Sequence, residues 1–312
     1  MCLAEIERGP RMASSLIDGG IPMNASNLLS SLSTLLALSG ALAACTDDPG
    51  GKRALFVVSN ISDIPAPGGG ERASGVWLSE VTHPYWVLRD AAALGFTIDL
   101  ASPRGGPSAI DGFSVKLNLD DFLRTGVPDS GDPLNERFLA DPETRELIGI
   151  EDVPQADGTV QQRYAFRDTL ALADVRAADY DVVFYAGGNA APFEFVDDAR
   201  VHGAARAVYE AGGLVTAVCH GTSALLEAKL ADGRHLVAGR RVTGFSNAEE
   251  DLLGQRAVMP VLLEEAFPLR GATYTAAAPF TEHVVVDGRL ITGQQPASGR
   301  AVGEAIVTYF AE

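Results

Sequence analysis

The sequence predicts an α/β fold, a three-layer sandwich whose mostly parallel sheet carries helices on both faces. Three observations predict it. Short, continuous apolar runs recur at Ala54–Ser59, Tyr180–Tyr185 and Leu214–Val218, the kind of strand that a parallel sheet hides on both faces. Helix-forming stretches separate these runs, with glycine or proline at the joints. No internal repeat breaks the alternation.

Taken in order, Ala54–Ser59 is the first strand, followed by a loop with Pro65, Pro67 and three glycines. Pro84 suits the first turn of a helix, which Trp86–Ala93 carry and Gly95 stops. Phe96–Ala101 is the second strand, so the chain opens with a βαβ unit. Residues 107–165 are more polar, with Asp111, Asp120, Asp121, Asp129 and Asp132 among them. They read as an insertion with short helices, a cap beside the active end, and Asp141-Pro142 supplies an N-cap and first turn. Tyr180–Tyr185 is the third strand and runs into Gly187-Gly188, where backbone N–H groups can approach a ligand closely. A helix over 197–211 follows, then the strand that ends at Cys219. Beyond it the sequence predicts a short hairpin of 235–238 with 241–243 about Gly239, a helix after Gly244, and another over 261–267. A second hairpin turns at Asp287-Gly288, and 293–298 cap a last helix that runs to about Tyr309.

Residues 1–45 read as a processing leader rather than structure. Arg8 and Arg11 precede an apolar run, 28–44, that is short for a membrane span. Leu42-Ala43-Ala44-Cys45 looks like a bacterial lipobox, with Cys45 the lipidation candidate. Residues 46–53 would be a tether and 54–312 one domain. The expected location is the periplasmic side of the cell envelope, with membrane contact only through the lipid. If the lipobox is not used, the location is cytoplasmic.

Of 312 residues 46% are apolar, enough for a substantial core, and the formal net charge is −17. Such a surface repels nucleic acid, so no nucleic-acid partner is expected. The three cysteines are Cys2, Cys45 and Cys219. With the first removed and the second lipidated, Cys219 has no disulfide partner, and paired-cysteine zinc spacing is absent. Ala217-x-Cys219-x-Gly221 is the pattern of a nucleophile elbow with sulfur in place of the serine hydroxyl. Small residues two before and two after the nucleophile let the chain turn sharply. A helix after the turn would aim its N–H groups at the sulfur and lower the thiol pKa.

These residues, with four further motifs, resemble the ThiJ/PfpI superfamily of the class I glutamine-amidotransferase-like, flavodoxin-like fold. The motifs are Ala217–Gly221, Glu80–Pro84, Ala101–Gly106, Val242–Glu250 and Leu290–Ser298. Within that superfamily the chain looks most like the glyoxalase III and heat-shock chaperone branch. The resemblance implies Cys219 as nucleophile, Glu80 as the carboxyl group facing it, His220 as base, and Glu250 as the triad acid with Glu249 as fallback. It also implies an oxyanion hole from the backbone of Gly188 and His220. Relatives usually carry Gly-Gly-His-Gly after the third strand, whereas here Gly187-Gly188-Asn189-Ala190 stands, which alters the pocket at Asn189. His83 is read as a hydrogen-bonded structural residue rather than a metal ligand, and neither metal nor cofactor is expected. The implied activity is a cofactor-independent glyoxalase, of the lyase or hydrolase type, that converts methylglyoxal-type 2-oxoaldehydes to 2-hydroxy acids such as D-lactate. A holdase chaperone and a cysteine-dependent deglycase or peptidase are the alternatives, and a homodimer is left open.

Overall fold

The computed structural model describes residues 50–114, 131–154 and 158–312. The leader, Cys45 and Asp120, Asp121 and Asp129 of the insertion lie outside the described residues.

β1 (Arg53–Val57) is followed by a small antiparallel ribbon, β2 (Asp63–Pro65) with β3 (Glu71–Ala73), and by α1 (Ser79–Asp90). β4 (Thr97–Ser102) and β5 (Gly106–Ala109) come next, then α2 (Pro133–Ala140), α3 (Pro142–Arg145), β6 (Ile148–Pro154) and β7 (Val160–Ala171). β8 (Val182–Tyr185), α4 (Pro192–Phe195), α5 (Ala199–Glu210) and β9 (Leu214–Val218) lead to a 3₁₀ helix, Cys219–Leu225. The chain ends through β10 (Arg241–Val242), α6 (Asn247–Leu252), α7 (Leu263–Leu269), β11 (Thr273–Tyr274), β12 (Val284–Asp287), β13 (Leu290–Gly293) and α8 (Gly299–Ala311).

The central sheet has the order β12-β13-β9-β8-β1-β4-β7-β5, with β6 also on β7. The pairs from β13 to β7 are parallel, and β12, β5 and β6 join antiparallel. β8 and β9 are buried at every residue and β1 at all but its first, which is why these strands are apolar without alternation. α1 and α8 pack together on one face, and α5 covers β8 and β9 from the other. The three-layer α/β sandwich is thus the fold of this chain. From β1 the first crossover, through α1, goes to β4, while β8 lies on the other side of β1. The order reverses there, and such sheets bind ligands outside the carboxyl ends of the strands at that switch point.

Four expectations are corrected. The helix placed at 86–93 begins at Ser79, so Pro84 lies inside it and Glu80 sits in its first turn rather than ahead of it. The insertion at 107–165 is not only helical. Its β5 and β6 both pair with β7 and widen the sheet, because the alternating apolar positions Tyr164 and Phe166 can be buried only against neighbouring strands. The hairpin about Gly239 does not form: Arg241–Val242 pairs parallel with the distant Thr273–Tyr274. The α-helix expected after Cys219 is a seven-residue 3₁₀ helix. The hairpin at Asp287-Gly288 forms as expected, with Gly288 at φ 59°.

Candidate active site

β9 ends at Cys219, whose φ of 58° puts a non-glycine residue in the left-handed region. A backbone so strained must be held by its surroundings, and here it turns the side chain out at the end of the sheet. Gly221 makes the turn fit, since a Cβ there would lie 2.4 Å from the Tyr185 carbonyl oxygen. Cys219 is only 3% exposed, yet it lines a cavity of about 680 Å³.

His220 is fully buried. Its Nδ1 lies 3.6 Å from Cys219 Sγ and its Nε2 lies 2.8 Å from Glu250 Oε1. The imidazole stacks on Phe245 at 4.2 Å between ring centroids. With Glu250 as acceptor, Nε2 carries the ring proton and Nδ1 presents its lone pair to the sulfur. Glu250 projects from α6, and its second oxygen, Oε2, accepts from Gln255 Nε2 at 2.9 Å. Gln255 Nε2 also donates to Asn189 Oδ1 at 2.9 Å, and its Oε1 accepts from Arg72 Nη2 at 2.8 Å. A connected polar line thus runs from Arg72 through Gln255, Glu250 and His220 to the thiol.

Glu249, the fallback acid, does not reach His220. Its Oε2 takes the Ser246 N–H and hydroxyl and closes a capping box, while Oε1 takes the Phe280 N–H at 2.8 Å and Gln294 Nε2 at 3.1 Å. Successive residues of a helix point about 100° apart, so one short helix gives its two carboxylates different work.

Glu80 reaches the site from the first turn of α1. Its Oε2 accepts the Gly187 N–H at 2.7 Å, and its buried Oε1 has no partner in hydrogen-bonding geometry. Burial pushes this carboxyl up to about 8, with the neighbouring Cys219 thiol and the Gly187 N–H pulling the other way. Gly188 has φ 99°, and a Cβ on it would sit 2.2 Å from the Gly75 carbonyl oxygen. The N–H groups of Gly188 and His220 converge on the sulfur and favour its thiolate.

That pull is not decisive. Burial raises the Cys219 thiol well above its usual value, and the nearby Glu80 charge adds to the rise. The expected depression by a helix dipole is therefore corrected. The 3₁₀ turn starts on the cysteine itself, and two N–H groups do not offset complete desolvation.

The structure thus brings together Cys219, His220, Glu80, Glu250, Gly187, Gly188 and Asn189. His83 stands apart, with Nε2 2.8 Å from Asp132 Oδ2. Gln255, Arg72, Phe245 and Phe280 were not read from the sequence. Gln255 reaches the site by folding back behind α6, where its N–H bonds the Glu250 carbonyl, and Arg72 comes from a ribbon far away in the chain. No local pattern marks either residue.

A cysteine on a strained turn, a histidine hydrogen-bonded to a buried acid and a nearby buried carboxyl group thus form one site on an α/β fold. Residues 151–309 match the DJ-1/PfpI family, and this chain belongs to that family. It is similar to glyoxalase 3 of Candida albicans, 29% identical over 77% of this chain and 91% of the relative. It is also similar to a glutathione-independent glyoxalase of Schizosaccharomyces pombe, 29% identical over 83% and 97% of the two chains. Among solved structures, the Rapid Encystment Protein 24 kDa of Francisella tularensis superposes with a TM-score of 0.68 at 29% identity, covering 82% of this chain and 98% of the other.

Proposed function

We propose that this protein is a glutathione-independent glyoxalase that converts 2-oxoaldehydes to 2-hydroxy acids, methylglyoxal giving D-lactate. The observation that carries the proposal is the placement of two proton carriers beside one sulfur. His220 offers a lone pair, and Glu80 holds a proton at neutral pH. The names of the two glyoxalase relatives support the same reading.

The chemistry closes without an outside oxidant. As Sγ bonds to the aldehyde carbon, His220 takes the thiol proton and Glu80 protonates the carbonyl oxygen, giving a hemithioacetal. Glu80, now a carboxylate, removes the hydrogen from that carbon while His220 protonates the neighbouring keto oxygen, giving an enediol. Glu80 returns its proton to the second carbon and His220 takes the hydroxyl proton from the first, leaving a 2-hydroxy thioester. Water adds to the thioester, its proton going to Glu80, and the expelled thiolate recovers its proton from His220. One carbon is oxidised and its neighbour reduced by the same two electrons. The Gly188 and His220 N–H groups stabilise the oxyanions along the way.

The test is lactate formation from methylglyoxal with neither glutathione nor metal added. Cys219→Ser should abolish it, and undiminished lactate from that variant would overturn the assignment. We also propose that the chain is cleaved between Ala44 and Cys45 and that Cys45, left as the N-terminal residue, is lipidated and anchors the enzyme to the cell envelope. Lipid label on the membrane-fraction protein that disappears in Cys45→Ala is the expected result.

A further inference from the structure

The cavity in front of Cys219 is much larger than methylglyoxal requires. Its volume of about 680 Å³ falls in the range of sites for drug-sized ligands, and a single methyl group would leave most of it to water. Among the described residues its walls are largely apolar, with Trp77, Phe113, Leu253 and Pro296 beside Phe245 and Phe280. The polar side chains among them are Arg72, Asp111, Asn189, Gln255 and Gln295, and Gln255 is hydrogen-bonded to both Asn189 and Arg72.

Phe280 is the second observation. It has φ 55°, a conformation that costs a bulky residue energy and that ordinary packing would select against. It is nevertheless 48% exposed, so burying its own ring is not what holds it there. What holds it is Glu249, whose buried carboxylate accepts its N–H. The ring stands edge-on to Phe245 at 6.3 Å, and Phe245 stacks on His220. An aromatic series therefore leads from the imidazole to the cavity wall.

We infer that the physiological 2-oxoaldehyde bears an extended apolar or aryl group on its keto carbon, and that Phe280 is a specificity-determining residue that receives this group. The inference rests on the glyoxalase reading and narrows it. The aldehyde carbon sits at Sγ in either case, and the substituent runs along the apolar wall toward Phe280. Its burial stabilises every state from binding to thioester, so the gain falls on kcat/KM.

The test compares methylglyoxal with hexylglyoxal, which matches it electronically, and with phenylglyoxal, in the wild-type protein, Phe280→Ala and Phe280→Gly. The wild type should turn over hexylglyoxal and phenylglyoxal with kcat/KM at least tenfold above methylglyoxal. In both variants that ratio should fall threefold or more. Phe280→Gly guards against misfolding, since glycine takes the left-handed backbone freely. Turnover of methylglyoxal with no gain for the longer substrates, or a ratio unmoved in both variants, would overturn the inference and leave the glyoxalase reading standing. Turnover of none of the three would overturn the glyoxalase reading and the inference with it.

Discussion

Replacing Glu80 by glutamine removes a buried proton site and keeps its shape. The folded chain holds this carboxyl at about 8, against 4.5 for an unperturbed one, chiefly because it is buried. Between those values the native state keeps a proton that the unfolded chain has released. The contribution of the protonated carboxyl is therefore fully present below pH 4.5, and it is lost as pH rises through 8. A rise of this size corresponds to about 5 kcal/mol, a large share of the stability of an ordinary domain. Glutamine can accept the Gly187 N–H through its oxygen and has no proton to lose. Urea unfolding at pH 5 and pH 9 should show the wild type losing several kcal/mol more than Glu80→Gln over that interval. Other groups titrate in both proteins, so the difference between them isolates Glu80. The variant should also lose turnover, because an amide cannot take the hydrogen from the aldehyde carbon. Parallel pH dependence in the two proteins would refute the reasoning, since it would mean that Glu80 is solvated or already ionised in the native state.

Glu250→Gln should lower kcat on the order of 10³-fold by releasing His220 from its tautomer, and unfolding curves should move little. Glu249→Gln should do the reverse in stability: two of its four donors lose their acceptor, and the cost in chemical denaturation should be about 2 kcal/mol. Gln255→Leu leaves Glu250 Oε2, Asn189 and Arg72 each short of a partner, so kcat should fall about tenfold with KM less affected. Gly188→Ala forces a Cβ onto the Gly75 carbonyl at φ 99°. It should destabilise by roughly 3 kcal/mol or more in thermal unfolding, with activity lost in whatever remains folded.

The parts of this molecule legible in its sequence are those whose physics is local. β1, β8 and β9 are apolar but for Arg53 and Thr216 because both faces of the sheet are covered, and the sequence carries that mark. The elbow is legible because Ala217 and Gly221 flank a cysteine at the strand end, and the second hairpin because Asp-Gly is a turn dipeptide. What escaped depends on distant partners. The pairing of Arg241–Val242 with Thr273–Tyr274 joins segments more than thirty residues apart, so the nearer hairpin looked sufficient. The twelve residues of β7 carry charged and polar side chains that disguise a strand lying among β4, β5 and β6. The direction of the thiol shift is not legible in the sequence, because a turn motif shows the dipole while the depth of burial that opposes it is a property of the assembled fold.

Glu80, Glu249 and Glu250 are all buried, and they differ in the donors they receive. Glu249 receives four hydrogen bonds, two on each oxygen. Glu250 receives one on each, from His220 and Gln255. Glu80 receives a single backbone N–H, and its other oxygen has no donor within hydrogen-bonding geometry. An unmet carboxylate oxygen in a desolvated site is stabilised most directly by protonation. The proton therefore sits on the carboxyl nearest the sulfur, where an aldehyde oxygen needs it. Giving Glu80 a second donor would remove that proton, and with it the means of moving hydrogen between the two carbons.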